Sequence, residues 1–346
     1  MRFFARAQER QEAMAKKRKI RVGVIGVGHF GRRHAEKYAS FENTELVALC
    51  DLDTERAEET AAALNTASTT DYRTLLGHVD AVSVAVPTKG HFEVARAFLE
   101  AGAHVLVEKP IAGTLEEADA LVRLARDEKR ILQVGHIERF SAAYRSIAQR
   151  INRPLYIESY RIAPFQPRGT DVNVVLEVMI HDIDLLLALV ASPVRSVLAV
   201  GAPILSEHED VANARVEFES GAVANVTASR VGRKTERRLR IFQSDDYLSI
   251  DLAEGHGVRL YKKDSERPLD LSSIGKEEWT LEKGDALKDE LAAFIDSVAS
   301  GRAPAVTGEM GREALAAALL ITEALRAQRE RLLPAGASAP SRAASS

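Results

Sequence analysis

The chain has 346 residues, 46% hydrophobic and 28% charged, the composition of a folded globular protein and not of a disordered one. Lys+Arg 47 against Asp+Glu 50 leaves a net charge of −3, which gives no electrostatic reason to expect nucleic acid as a partner. The single cysteine, Cys50, excludes a disulfide framework or a Cys-based zinc site within one chain and suits a reducing cytoplasm. No apolar run approaches the roughly 18–20 residues that a membrane span needs.

Residues 1–19 read as a basic N-terminal extension without the apolar segment of a signal peptide, and Met14 is a candidate translation start. From Ile20 strands and helices alternate. IRVGVIGVGHFG (Ile20–Gly31) is a β-branched run that closes on glycines, and a helix follows over Arg32–Ser40. LVALCD (Leu46–Asp51), AVSVAVP (Ala81–Pro87), HVLVEKP (His104–Pro110) and Ile131–Gly135 read as further buried strands. Helices are expected at Thr54–Leu64, Phe92–Ala101 and Thr114–Lys129. Continuous apolar strands separated by amphipathic helices predict a parallel, doubly wound α/β sheet covered on both faces.

The turn Gly26-Val27-Gly28-His29-Phe30-Gly31 has the G-x-G-x-x-G pattern, which is weak alone. Here it follows a strand, opens a helix, and is followed twenty residues later by Asp51 at the next strand's end. That context makes it a dinucleotide-binding fingerprint of the Rossmann type. Gly26 makes the tight turn, Gly28 admits the pyrophosphate, Gly31 lets helix pack on strand, and His29 and Phe30 lie beside the cofactor. Asp51 would accept from the adenosine ribose hydroxyls and repel a 2′-phosphate, favouring NAD over NADP. Asp53 reads as an ordinary turn residue, and His34 as a packing or solvated histidine.

Ligands in such sheets bind beyond the strands' carboxyl ends. One such end carries Pro87, Thr88 and His91; Pro87 bends the chain, Thr88 can cap the next helix, and His91 is either structural or a cofactor contact. Another carries Glu108-Lys109-Pro110. Further on, NVVLEVMIHDIDLLLALV (Asn173–Val190) is apolar nearly all round, which predicts a buried helix. Asn173, Glu177, His181 and Asp184 recur at steps of four, four and three, one polar stripe suited to a pocket wall. Asp182, off the stripe, reads as structural, and Asp184 can orient His181.

From Pro154 the pattern changes to period-two strands: LYIESYRIA, SVLAVGAP, ANARVEFES, AVANVTASR, RLRIFQ, YLSIDL and GVRLYKK. They predict an α+β domain with a large, mostly antiparallel open sheet, one face solvated or used for oligomer contact. Helices are expected at Asp285–Ala299 and Glu309–Arg331. The expected organisation is an NAD-binding domain over residues 20–138, a substrate-binding and oligomerisation domain over 139–333, and a disordered tail over 334–346.

GVGHFG, AVPTKGH, EKP and the later His-x-x-Asp helix, in that order, resemble the Gfo/Idh/MocA family of NAD(P)-dependent oxidoreductases across about residues 20–330. The resemblance implies oxidation of a secondary alcohol on a sugar, inositol or nucleotide sugar. It assigns Lys109 and His181 as catalytic, with Lys109 beside the nicotinamide. Glu177 stands where the family usually has Asp. It also implies a homodimer or homotetramer through the second sheet. GHIERF (Gly135–Phe140), DVNVVLEVMIHDID (Asp171–Asp184) and ANVTASR (Ala224–Arg230) resemble a narrower branch acting on UDP-N-acetylglucosamine at C3, beside an aminotransferase and lipid A synthesis. On that reading Arg139, Arg161, Arg168 and Arg230 are candidate diphosphate ligands. The alternatives are a free-sugar or inositol dehydrogenase and a non-catalytic dinucleotide-binding regulator. Alcohol oxidation by Lys, His and a nicotinamide calls for no metal.

Overall fold

A computed structural model describes residues 19–167, 169–170, 172–263 and 271–332. The expected N-terminal extension before Lys19, the expected tail, and Arg168 lie outside them. The chain divides into two compact units: residues up to Phe140 together with Asp285–Arg312, and Ser141–Gly284 together with the chain from Glu313.

The first unit is a six-stranded parallel sheet in the order β3-β2-β1-β4-β5-β6. Its strands are β1 (Ile20–Ile25), β2 (Thr44–Cys50), β3 (Ala67–Thr69), β4 (Ala81–Val84), β5 (His104–Glu108) and β6 (Leu132–Gly135). Val22, Val24, Leu49, Val82 and Leu106 are fully buried, as expected of strands covered on both faces. The helices between them are α1 (His29–Ser40), α2 (Thr54–Leu64), α3 (His91–Glu100) and α4 (Leu115–Asp127). Asp53 accepts from the Arg56 amide and so caps α2, a more specific task than an ordinary turn residue has. Thr114 and Glu117 form a reciprocal capping box on α4. Strand order reverses between β1 and β4, the switch point where an open α/β sheet presents a crevice.

In the second unit, α5 (Ala142–Ala148) and α6 (Ile180–Val190) accompany an eight-stranded sheet, β14-β13-β12-β11-β7-β10-β9-β8. The strands are β7 (Tyr156–Ile162), β8 (Val194–Ala202), β9 (Val211–Phe218), β10 (Val223–Ser229), β11 (Glu236–Phe242), β12 (Asp246–Asp251), β13 (His256–Lys262) and β14 (Ile274–Thr280). Neighbours are antiparallel except β7 and β10. Alternate residues face one core: Ala212, Ala214, Ala224 and Ala228 share it with Met179, Ile180 and Ile183. Alanines on the strands let the helix lie close to the sheet. The other face carries exposed Leu198 and Val200 and ion pairs such as Arg240–Glu158 at 2.7 Å.

Helices α7 (Ala286–Ser300) and α8 (Gly308–Leu332) follow. The expected boundaries placed Asp285–Arg312 in the second domain, but it groups with the first unit. The cause is packing: Leu287, Leu291, Phe294 and Ile295 of α7 join Val22, Val24 and Leu106 in one core. Replacement of fully buried Phe294 by Ala therefore removes a side chain that holds this late segment on the sheet. Phe294→Ala is expected to cost about 3–5 kcal/mol in urea unfolding, followed by far-UV circular dichroism.

Candidate active site

The glycine turn shows which of its residues make structure and which leave room. Gly26 has φ +85°, and a Cβ there would stand 2.6 Å from the Ala85 carbonyl oxygen on the neighbouring strand's exit. A methyl at Gly31 would overlap the Gly26 carbonyl oxygen, so helix and turn touch backbone to backbone. At Gly28 a Cβ would meet nothing within 4 Å. Gly28 is also the N-cap of α1 and provides no side-chain cap for the helix's first amides. Open space over amides that a helix leaves without intrahelical partners is a fitting cradle for a pyrophosphate. His29 and Phe30, both exposed, stand edge to face beside it, ring centroids 5.4 Å apart.

Asp51 closes the other side of the turn. Its Oδ2 accepts from the Val27 amide at 2.8 Å and its Oδ1 from the Asp53 amide at 3.0 Å. Arg56, not singled out in the sequence, brings Nη2 to 3.4 Å from Oδ1. The carboxylate is thus held by backbone at the position where a ribose would be read. Pro87 is exposed and leads into a single 3₁₀ turn, Thr88–Gly90. Thr88 does not cap α3 through its side chain; its carbonyl accepts from the His91 amide instead. His91, 1% exposed, has Nδ1 2.7 Å from the Pro110 carbonyl oxygen and Nε2 2.9 Å from that of Val86. It braces two strand-end loops, and burial lowers its pKa, so the cofactor-contact alternative is set aside.

Glu108 ends β5 and half-buried Lys109 follows, its peptide bond to Pro110 being cis. His34, fully buried, lies between Ser83 Oγ (3.2 Å from Nδ1) and Glu108 Oε1 (3.1 Å from Nε2). Tyr38 Oη is 2.8 Å from the same Ser83 hydroxyl, and a buried Glu290 carboxylate lies within 4.8 Å of the His34 and Glu108 atoms. Burial pushes the Glu108 pKa up, but the His34 bond and the His34 and Lys109 charges outweigh it, leaving a net lowering. Burial pushes the Tyr38 phenol up, so it stays protonated. A tyrosine, a serine and a histidine thereby lead to the carboxylate next to Lys109. The sequence did hold a signal for this network: His34 shares the inner face of α1 with Gly31, Ala35 and Tyr38.

In the second unit the predicted helix opens with a π-type turn, Val175–Met179, in which the Ile180 amide donates to the Val175 carbonyl. Such turns recur at functional sites. Glu177 lies in this turn and His181 one turn on, both half-buried. Asn173 has a different task from the one its place on the stripe suggested. Its Oδ1 accepts from the Leu176 amide at 3.1 Å and its Nδ2 donates to Thr322. Asp184 is buried, 1% exposed. Asp182 is structural, accepting from Arg161 (Nε to Oδ2, 2.6 Å) and Ser159 (2.9 Å).

Two of the expected diphosphate ligands are therefore corrected. Arg161 is 4% exposed and engaged with Asp182. Arg230 is 5% exposed, and its guanidinium donates to Asp210, Ser206 and the carbonyls of Gly169 and Val172. Neither presents a guanidinium to solvent. Arg139 is half-buried, in a 3₁₀ turn of the first unit.

Residues 20–136 match the oxidoreductase family with an NAD-binding Rossmann fold, and residues 144–249 match the GFO/IDH/MocA C-terminal domain. The chain belongs to the Gfo/Idh/MocA family of oxidoreductases. It is 40% identical to the UDP-N-acetylglucosamine 3-dehydrogenase of Acidithiobacillus ferrooxidans, over 89% of this chain and 98% of that one. A solved structure of that enzyme matches with a TM-score of 0.84 over the same shares. Myo-inositol 2-dehydrogenase of Thermotoga maritima is 27% identical over 86% of this chain and 93% of its own. The scyllo-inositol dehydrogenase of Lactobacillus casei with bound NAD(H) and scyllo-inositol, 21% identical, shares the fold at a TM-score of 0.75, with 90% of this chain and 98% of that one covered.

The second and third glycines of the turn should fail differently. Gly28→Ala places its methyl in open space, so Tm should hold within about 2 °C while NAD affinity falls at least about tenfold. Gly31→Ala should instead lower Tm steeply. Differential scanning fluorimetry and NAD titration by calorimetry separate the two.

Proposed function

We propose that this protein oxidises the C3 hydroxyl of UDP-N-acetylglucosamine with NAD. The observation that carries the reading is the 40% identity to a UDP-N-acetylglucosamine 3-dehydrogenase across 89% of the chain, joined to Lys109 at the end of β5 and His181 behind a π-type turn. Bound NAD supplies the hydride acceptor. Lys109 donates a hydrogen bond to the reacting hydroxyl and stabilises negative charge as it develops on the oxygen. His181 accepts the hydroxyl proton, imidazole being the side chain most readily suited to take up and release a proton near neutral pH. Glu177 orients the sugar, Asp184 orients His181, and Glu108, Pro87 and Thr88 line the cofactor's path. Asp51 selects NAD over NADP, since a 2′-phosphate would meet its carboxylate.

Arg139 and Arg168 remain the proposed diphosphate ligands, and Arg161 and Arg230 are withdrawn because their guanidiniums are buried in ion pairs. The 3-keto product is a substrate for an aminotransferase, which fits a place in lipid A synthesis in the cytoplasm. The exposed Leu198 and Val200 on the open face of the second sheet support assembly of a homodimer or homotetramer through that face.

Oxidation to the ketone is uphill near neutral pH, so the assay couples it to an aminotransferase with glutamate and reads the 3-amino sugar by mass spectrometry. Product from UDP-N-acetylglucosamine, and NAD bound more tightly than NADP, are the expected results. Good turnover of a free sugar or inositol with none of the nucleotide sugar would sink the assignment.

Lys109→Ala and His181→Ala should each reduce kcat at least about a hundredfold with NAD affinity nearly intact. Near wild-type turnover in either variant removes that residue from the mechanism.

A further inference from the structure

Three segments of the second unit meet at one buried ion pair. Asp210, fully buried before β9, accepts at Oδ2 from the amides of Ile204, Leu205 and Ser206 at 2.5–2.9 Å. Its Oδ1 accepts from Ser206 Oγ and from Arg230 Nε, each at 2.7 Å. Burial works against the Asp210 charge, but these donors hold its pKa well below the usual carboxylate range. Arg230, just beyond β10, uses the rest of its fork elsewhere. Nη2 donates to Ser206, and Nη1 donates to the carbonyls of Gly169 (2.7 Å) and Val172 (2.9 Å). The Val174 amide adds a bond to the Glu209 carbonyl at 2.9 Å.

The chain leading to the π-type turn is thus held by its backbone, at two carbonyls, by one guanidinium. Gly169 is also the neighbour of Glu177. Its φ is +70°, and a Cβ there would lie 3.0 Å from the Glu177 Cδ and Oε1. A methyl there would press on the end of the Glu177 side chain, so that backbone and the carboxylate lie in close contact. Gly169 is therefore gripped on one side by Arg230 and fills the space beside Glu177 on the other.

We infer that Arg230, anchored by Asp210, is a positioning residue that sets the Glu177 carboxylate by holding, through the Gly169 and Val172 carbonyls, the segment whose Gly169 lies against it. The inference rests on the reading of Glu177 as the group that orients the sugar. A carboxylate that binds the sugar equally in ground and transition states is felt in KM more than in kcat.

Arg230→Met is the informative variant, because Asp210 keeps its three amides and the Ser206 hydroxyl while the two carbonyls lose their donor. Arg230→Lys should not restore function, since one ammonium on a flexible stem cannot reproduce the fork. Arg230→Met should raise KM for UDP-N-acetylglucosamine about tenfold or more, with kcat within about threefold and NAD affinity unchanged. In a Glu177→Gln background the same change should alter KM by less than about twofold, because residues acting through one another are not additive.

Gly169→Ala reaches Glu177 from the opposite side and should reproduce the rise in KM, which keeps the test open if Arg230→Met does not fold. An equal Arg230→Met effect in both backgrounds, or an unchanged KM in folded Arg230→Met or Gly169→Ala, overturns the inference. If the wild-type chain does not turn over this sugar, the substrate reading fails by itself. Hydrogen exchange then decides the clamp: faster exchange over Val172–Glu177 in Arg230→Met, with the first unit unchanged, supports it, and unchanged exchange defeats it.

Discussion

The Arg161–Asp182 ion pair has both side chains almost wholly out of water, 5% and 2% exposed. Breaking such a pair by removing one partner costs about 3–5 kcal/mol, because the other charge is left buried alone. The pair joins β7 to α6 at the residue that follows His181. A helix turns about 100° per residue, so a carboxylate pinned towards the sheet fixes the direction in which its neighbour projects. Ser159 adds a second bond from the same strand, and alternate residues of β7 supply both anchors. His181 and Glu177 thus project from a helix whose rotation is set by charge as well as by apolar packing.

The first unit solves a similar problem with hydrogen-bonded groups in series. A carboxylate beside Lys109 would be costly in so buried a place were it not met by His34, and His34 is held by Ser83. The five members come from four elements: Tyr38 and His34 from α1, Ser83 from β4, Glu108 from β5 and Glu290 from α7. The end of β5 is consequently tied into the core. Open space at Gly28 and backbone contact at Gly31 divide the glycine turn into a part that receives a ligand and a part that carries load.

Much of this was legible in the sequence because the strongest signals are periodic. Continuous apolar runs separated by amphipathic helices gave the parallel sheet, and period-two alternation gave most of the second. The strands that escaped were β3, only three residues long, and β14, where Lys276, Glu277 and Glu278 mask the alternation. The arginines misled for another reason. Sequence shows a charge but not its partner, and a guanidinium bound for phosphate reads the same as one bound for aspartate. Arg161 did carry a clue, since it lies at even spacing from Ile157 and Ser159 on the inner face of β7. Nothing local announced that Asp210 and Arg230 would meet across 20 residues.

The return of the chain to its first unit has a consequence for how the protein is made. A ribosome releases β1 to β6 long before Asp285 has been synthesised, so the nascent sheet waits with the surface that Leu291 and Phe294 later cover still wet. The whole second sheet is translated during that interval. Domains commonly fold in order from the N-terminus as they emerge. Here the first to emerge cannot finish until nearly the last, and a transcript cut short anywhere before α7 yields an unsealed hydrophobic face, the kind of surface that chaperones hold and proteases clear.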